Sequence, residues 1–330
     1  MKIAFITEMG FQGKVPAEYR NMRTEFAWMH ALDADHFNIH MAAVDNQLKD
    51  YDHVFLIFPK GQFNLNIVGS KIAYIPNPYS ELLAAGWLKS IKDRNKKVYY
   101  VQEGPHWIFT ELEIADQINF YNMLTLVDAI FVHNTSDVKY YEGLVPGKPI
   151  NILPTLMIEN LIKDAVPTKE DKVIIGGNFA RWYGGFESFL VAREFQVPIW
   201  GQTSHAMRDH EDQLIQHLPR VMWADWIEQL SSFKYAIHLM PTVAAGTFAL
   251  NCAYLGIPGI GNSKVDTQKI CHPRLSVNVE DLKTARHLAK QLKEDKSFYD
   301  ECSRMAKENY KKYYSLESWK KNMNFILNLK

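Results

Sequence analysis

Glu103 closes the apolar run Val98-Tyr99-Tyr100-Val101-Gln102 and is followed by Gly104-Pro105-His106. A carboxylate at the end of a strand, beside backbone that a glycine keeps open, has the placement of a general base. Burial in a closing cleft would raise its pKa towards neutrality, as such catalysis needs. His106 is a second acid–base candidate. The plainer alternatives are a strand-end cap for Glu103 and a packed or solvated imidazole for His106. In the second half, Val173-Ile174-Ile175 runs into Gly176-Gly177-Asn178-Phe179-Ala180-Arg181. Two glycines let backbone approach a ligand, and an arginine can pair bidentately with a diphosphate; a turn with a surface arginine is the alternative. Glu187, in the helix that follows, is a weaker candidate. Further on, Pro241-Thr242-Val243-Ala244-Ala245-Gly246-Thr247 is a small-residue loop that leads into a helical pattern, with Thr247 as the expected N-cap. Backbone N–H groups and the helix dipole make such a terminus a natural anion site, though a plain tight connection reads the same way.

Other constellations carry less. No G-x-G-x-x-G follows the first strand, which argues against a nicotinamide or flavin cofactor, and no G-x-x-x-x-G-K-[ST] occurs. Asp33-Ala34-Asp35 matches a metal-binding D-x-D pattern but closes a helix and precedes a strand, so it reads as a solvated helix end. His205, His210 and His217 are scattered over an acidic stretch and read as a hydrated face rather than a metal site. Trp182, Trp200, Trp223 and Trp226 read mostly as core, although Trp182 and Tyr183 beside Arg181 could stack a base or a sugar.

The elements that must position these residues alternate between strand and helix. Strands are expected at Lys2–Thr7, Phe37–Ala43, His53–Pro59, Lys97–Gln102, Ala129–His133 and Ile150–Leu153. Helices are expected at Arg20–Leu32, Glu81–Asp93 and Glu111–Val127. Apolar residues on both faces of His53–Phe58 mark a buried parallel sheet. A second series has strands at 171–177, Val197–Trp200 (closed by Gly201), Tyr235–Met240, Gly256–Gly261 and Arg274–Val277. Its helices are Phe186–Phe195, Phe248–Leu255, Val279–Glu294, Ser297–Tyr314 and Leu316–Leu329. The reading is therefore α/β with two domains, 1–160 and 161–330, joined through the polar stretch Lys163–Lys172. In open α/β sheets ligands bind beyond the carboxyl ends of the strands, which is where Glu103, His106, the Gly176–Arg181 segment and the Pro241–Thr247 loop fall.

Composition narrows the class. The 330 residues exceed the span of a single core, and 47% hydrophobic with 22% charged is ordinary globular protein. No apolar run approaches the roughly 20 residues of a membrane span, and the N-terminus lacks the pattern of a signal peptide, so a cytoplasmic protein is expected. Cys252, Cys271 and Cys302 are odd in number and far apart, which suggests reduced thiols. Lys and Arg number 37 against 37 Asp and Glu, a balance that argues against wholesale wrapping of nucleic acid. The zero hides a gradient: residues 281–330 hold twelve Lys and Arg against seven Asp and Glu.

In order and spacing the chain resembles a GT-B glycosyltransferase, and within that class the phage DNA β-glucosyltransferases that modify 5-hydroxymethylcytosine. The similar segments are Met1-Lys2-Ile3-Ala4 with Met9-Gly10, Lys14-Val15-Pro16, Asp50-Tyr51-Asp52 and Lys97-Val98-Tyr99-Tyr100 leading to Glu103. Val173–Phe179, Asp266-Thr267 and the helix near Val279 continue the similarity. The resemblance implies two Rossmann-like domains facing across a cleft, acceptor side first and donor side second, with the C-terminal helix packing back toward the first domain. It implies inverting transfer from a nucleotide-sugar, a UDP-sugar by preference, to a hydroxyl acceptor such as a 5-hydroxymethylated pyrimidine in double-stranded phage DNA. No tightly bound cofactor is implied, a divalent metal is optional, and the setting for a phage protein is the host cytoplasm. Glu103 would be the base, with His106 beside it; Gly10 and Gln12 would shape the sugar pocket. Gly176, Gly177, Asn178, Arg181, Gly201, Thr242, Gly246 and Thr247 would hold the donor. Asn251 stands where such enzymes usually place a glutamate against the donor ribose, and Arg181 where the phage family has two arginines. Basic candidates for a DNA groove are Lys14, Arg20, Arg23, Lys60 and Lys71. Transfer to a surface polysaccharide or small molecule, and nucleotide or sugar binding without turnover, are the alternatives.

Overall fold

Runs that are apolar on both faces become the inner strands of two parallel sheets. The computed structural model describes residues 1–7, 11–38, 48–58, 65–68, 71–74, 96–102, 104–111, 113–179, 183–202 and 214–328. They divide into two units: Met1–Ala17 with Trp28–Leu153, and Glu18–Ala27 with Pro154–Lys330.

In the first unit the strands are β1 (Ile3–Thr7), β2 (Gly13–Lys14), β3 (Asp35–Asn38), β4 (His53–Phe58), β5 (Leu65–Val68), β6 (Lys71–Tyr74), β7 (Lys97–Gln102), β8 (Ala129–Val132) and β9 (Ile150–Ile152). Seven of them form one sheet in the order β2-β3-β1-β4-β7-β8-β9, parallel except for the short β2–β3 pair, while β5 and β6 form a separate antiparallel hairpin. β4 and β7 run in register from His53↔Lys97 to Phe58↔Gln102. On one face Phe5 stacks on Phe55 at 4.7 Å. On the other, Ala4, Val54, Leu56, Val98 and Tyr100 pack against Phe120, Met123 and Leu124. Those last three come from α2 (Ile114–Leu126); α1 is Glu25–Leu32 and α3 is Thr135–Leu144. α1 begins five residues later than the periodicity suggests, because Thr24 takes a left-handed conformation (φ 45°) that a continuous helix cannot contain.

In the second unit β10 (Glu170–Asn178), β11 (Ile199–Gln202), β12 (Gln216–Leu218), β13 (Phe233–His238), β14 (Gly259–Asn262) and β15 (Ser276–Val277) form a wholly parallel sheet, ordered β12-β11-β10-β13-β14-β15. The helices are α4 (Gly185–Ala192), α5 (Trp223–Leu230), α6 (Thr247–Leu255), α7 (Asp266–Cys271), α8 (Leu282–Glu294), α9 (Lys296–Asn309) and α10 (Leu316–Ile326). Val173, Ile175, Tyr235, Ile237 and Ile260 from the sheet meet Val191, Phe195, Ala285, Ala289 and Leu292. α5 was not anticipated, yet Trp223, Trp226, Ile227 and Leu230 fall at helical spacing and all four are buried. The single helix expected over Ser297–Tyr314 is α9 followed by a π-turn at Tyr310–Tyr314. The carboxylates of Asp281 and Asp295 cap α8 and α9, accepting from Thr284 N and Phe298 N at 3.0 Å each. The three cysteines are free, and all three are buried. Burial pushes the Cys302 thiol up to about 11 and Cys271 up to about 12, so neither is a reactive thiolate at neutral pH. Among the described residues no helix is long and apolar enough to cross a membrane.

Ile237 is fully buried in a central strand. Ile237→Ala should lower the unfolding free energy by about 2–5 kcal/mol. Urea titration should show this as a lower midpoint with an unchanged slope.

Candidate functional site

β10 ends in Gly176-Gly177-Asn178, and α6 starts immediately against it. A Cβ on Gly176 would stand 2.5 Å from Phe248 Cδ1, so only glycine lets the strand end and the first turn of α6 approach so closely. Gly177 has φ +69°, and a Cβ there would meet Tyr183 Cδ1 at 2.8 Å and His238 Nε2 at 3.0 Å. The loop before α6 ends in Gly246 (φ +71°), which is the N-cap; Thr247 is the first helical residue rather than the cap. Gly246 is held by Thr267, whose hydroxyl donates to its carbonyl at 2.8 Å and whose side chain leaves no room for a Cβ. No side chain caps α6, and its first turn has no acidic residue. Its leading N–H groups and the positive end of its dipole therefore meet no built-in anion. The Thr247 and Thr155 hydroxyls lie 3.2 Å apart.

Two polar atoms beside this terminus lack partners among the described residues. Asn251 is 3% exposed and its Oδ1 makes no hydrogen bond. His238 Nε2 is likewise buried and unpaired. Burial holds the His238 pKa down to about 4, so the ring under Gly177 is neutral. Phe248 packs edge-on against it at 5.2 Å. Thr242 is half-buried in the loop. Gly201 in β11 is occupied with packing, since a Cβ would meet Ile215 Cδ1 at 2.7 Å. Asn178 pairs in register with Gln202 at the end of the strand.

In the first unit the carboxyl ends of β7 and β8 build a second constellation. His106 Nδ1 lies 2.9 Å from Asp137 Oδ1. The carboxylate accepts, so the proton sits on Nδ1 and Nε2 keeps its lone pair. The His106 side chain is 30% exposed whereas Asp137 is fully buried. Gln102 and Asn134 each donate to Asp137 Oδ2 at 3.3 Å, so this buried carboxylate has three partners. Gln102 also donates to the Gly104 carbonyl at 2.9 Å, which fixes the turn after β7, and Tyr140 packs on the His106 ring at 4.4 Å. Sequence reasoning missed Asp137. Its signal was Asn134-Thr135-Ser136-Asp137, a helix start with a carboxylate in the first turn.

The loop after β1 is anchored by His36, whose Nδ1 accepts from Phe11 N at 2.9 Å while Nε2–H donates to Thr7 Oγ1 at 2.7 Å. Gln12, next in that loop, is exposed. Gly10, Glu103, Arg181, Trp182, His205, His210 and Lys60 lie outside the described residues. The D-x-D pair makes no metal site: Asp33 and Asp35 are both ion-paired to Lys14, at 3.0 and 3.5 Å. Among the described residues no group of three or more His, Cys, Asp or Glu could hold a metal ion. Of the basic candidates, Arg20 binds Asp225 and Glu228 in the second unit, and Arg23 donates to the Val221 carbonyl at 3.0 Å. Lys71 lies in β6.

No protein-family model matches the sequence, and no curated protein matches it. Solved structures do. Anabaena Alr3699/HepE in complex with UDP and glucose superposes with a TM-score of 0.67 at 11% identity, covering 100% of both chains. An alpha-glucosyltransferase in complex with UDP-glucose and DNA containing an abasic site gives 0.61 at 12%, over 100% of this chain and 99% of that one. Sucrose-phosphate synthase from Thermosynechococcus elongatus gives 0.64 at 13%, over 99% and 98%. The chain has the fold of these GT-B proteins, two α/β sheets of mostly parallel strands.

His272 is 2% exposed, donates from Nε2 to the Ala249 carbonyl at 3.0 Å and, like His238, has its pKa lowered by burial to about 4. The unfolded chain protonates these rings near 6.5 and the folded chain does not, so stability is complete above that pH and falls as pH drops towards 4. Urea titrations between pH 7 and 4.5 should show a loss of about 1.4 kcal/mol per pH unit per histidine. His272→Gln should remove one histidine's share of the slope.

Proposed function

We propose that this chain is a glycosyltransferase that moves a sugar from a UDP-sugar to a hydroxyl acceptor. The observation that carries the reading is the uncapped first turn of α6 set against Gly176 and Gly177. It offers backbone N–H groups to a diphosphate where no side-chain Cβ stands in the way, and the helix dipole stabilises the negative charge that grows as the sugar leaves. The fold neighbours in complex with UDP or UDP-glucose support uridine diphosphate as the donor nucleotide. In this reading Arg181 adds a cation at the diphosphate, and the unpaired Oδ1 of Asn251 accepts from a donor hydroxyl. Gly10 and Gln12 shape the sugar pocket, and Asn178, Thr242 and Gly201 frame the donor loop. A divalent metal is optional.

On the acceptor side His106 takes the hydroxyl proton at Nε2 as the oxygen attacks the anomeric carbon opposite the leaving diphosphate, with inversion. Asp137 holds the tautomer this requires and stabilises the imidazolium that forms. Glu103, three residues earlier, is the other base in this scheme.

The acceptor has two readings. Hydroxymethylated pyrimidine in duplex DNA is supported by the alpha-glucosyltransferase neighbours in complex with DNA, one of them carrying an HMU base. A glycan or small-molecule hydroxyl is favoured by the basic candidates themselves: Lys14 and Arg20 are spent on carboxylates and Arg23 on a carbonyl, rather than left for phosphates. Incubation with UDP-sugars against both hydroxymethylated duplex DNA and free saccharides, followed by mass analysis, tests this. UDP release with a hexose-sized mass gain on one acceptor class is expected; no gain with any donor overturns the transferase reading.

Two substitutions test the halves separately. Thr247→Asp places a carboxylate where the helix dipole favours it, so the melting temperature should hold while UDP affinity falls at least tenfold by calorimetry. Asp137→Asn should leave UDP affinity intact and lower kcat by about 10²–10⁴-fold, because the base His106 loses the partner that orients it.

A further inference from the structure

Thr247, at the proposed donor site, begins α6; the other end of that helix, about 12 Å along its axis, opens on a separate cavity. Its volume is about 760 Å³, within the range of small-molecule sites. Tyr254 from α6, Tyr310 from the π-turn and three lysines, Lys307, Lys311 and Lys321, line it. None of the three makes an ion pair within 4 Å among the described residues, and each is exposed. We infer that this cavity binds a small organic phosphate at a site distinct from the donor's.

The argument is one of incompletely compensated charge and prior ordering. Three like charges lining one cavity repel one another, and a bound polyanion relieves that cost. The two carboxylates in the lining offset this only in part: Glu159 accepts the Tyr310 hydroxyl at 2.7 Å, Glu317 stands one helical turn before Lys321, neither is ion-paired to a lysine among the described residues, and the lysines outnumber them three to two. The positive field reaches Lys169, whose pKa is lowered first by burial and then by the charge of Lys307. Lys169 is spent, donating to the Gly256 carbonyl at 2.9 Å and to Ser303 Oγ at 3.0 Å.

The cations also stand on ordered supports. The Lys307 stem lies across Gly256 (φ +66°), the cap that ends α6, so closely that a Cβ there would collide with it. Lys311 belongs to the π-turn Tyr310–Tyr314, a wide turn of the kind found often at functional sites. Tyr310 is fixed by Glu159 and by an edge-on contact with Tyr254 at 5.3 Å. That aromatic pair offers an apolar wall to the body of a ligand whose phosphate meets the lysines. The C-terminal excess of basic residues, twelve against seven over 281–330, supplies all three lysines.

Isothermal titration in saturating UDP, which keeps the donor site filled, tests this with two probes, inorganic pyrophosphate and glucose 6-phosphate. Wild-type protein should bind one equivalent of at least one probe. Lys311→Gln/Lys321→Gln, both exposed positions, should weaken that binding at least tenfold and leave UDP affinity unchanged. Stronger binding of glucose 6-phosphate would point to a sugar phosphate as the ligand, and stronger binding of pyrophosphate to a diphosphate. Absence of binding by both probes at millimolar concentration, or equal binding by the double variant, overturns the inference. If UDP itself fails to bind, the donor reading falls, and the titration in its absence still judges this site.

Discussion

A missing side chain governs the second unit. Gly176 and Gly177 end the strand at the centre of the sheet, and the first turn of α6 sits on them with Phe248 where a Cβ would be. Any larger residue at 176 would push α6 off the strand, and with it the only stretch of that helix whose N–H groups are unpaired. The αL conformations of Gly177, Gly246 and Gly256 extend the same constraint to both ends of the helix. Backbone geometry, rather than any charged side chain, thus sets the chemistry available there. An uncapped helix terminus presents its N–H groups and dipole without a buried arginine whose desolvation would have to be offset.

The first unit solves a different problem with the same sheet logic. Parallel strands deliver their carboxyl ends to one edge, so Gln102 from β7 and Asn134 and Asp137 after β8 meet although they are about thirty residues apart in the chain. Asp137 is buried and accepts from three donors, which satisfies a polar group that would otherwise be costly there. It then dictates the tautomer of the half-exposed His106. The packing of Tyr140 on that ring further restricts its motion. The two units therefore differ in kind: one presents a fixed positive dipole, the other an oriented lone pair.

Much of this was legible in the chain. Apolar runs on both faces marked the inner parallel strands, and their ends marked Gly176, Gly177, Gly246, Thr247 and His106. The small-residue loop before a helical pattern located the start of α6 to within one residue, the cap being Gly246 rather than Thr247. Asp137 was not found because its partner lies on a neighbouring strand, and sequence spacing carries no record of which strands are neighbours. α5 is carried by a short period only, Trp223, Trp226, Ile227 and Leu230 over eight residues, and aromatic residues so spaced mark a core as readily as a helix. The partners of the basic residues were hidden for the same reason as Asp137. Asp33 lies 19 residues from Lys14, and the partners of Arg20, Asp225 and Glu228, are about two hundred residues away.

What the sequence determined by itself was local: hydrophobic period gave the α/β class, and glycine placement gave the points where backbone must turn left-handed or come close to another element. Those properties follow from each residue's own sterics and burial preference, so they need no knowledge of the rest of the chain. What only the tertiary structure decided was pairing. Whether a lysine is neutralised, whether a histidine has an aspartate behind it, and whether Lys307, Lys311 and Lys321 share one cavity all depend on distances between residues far apart along the chain. Coulombic and hydrogen-bond energies fall off over a few ångströms, so they remain undetermined until the sheet order and the helix packing fix those distances.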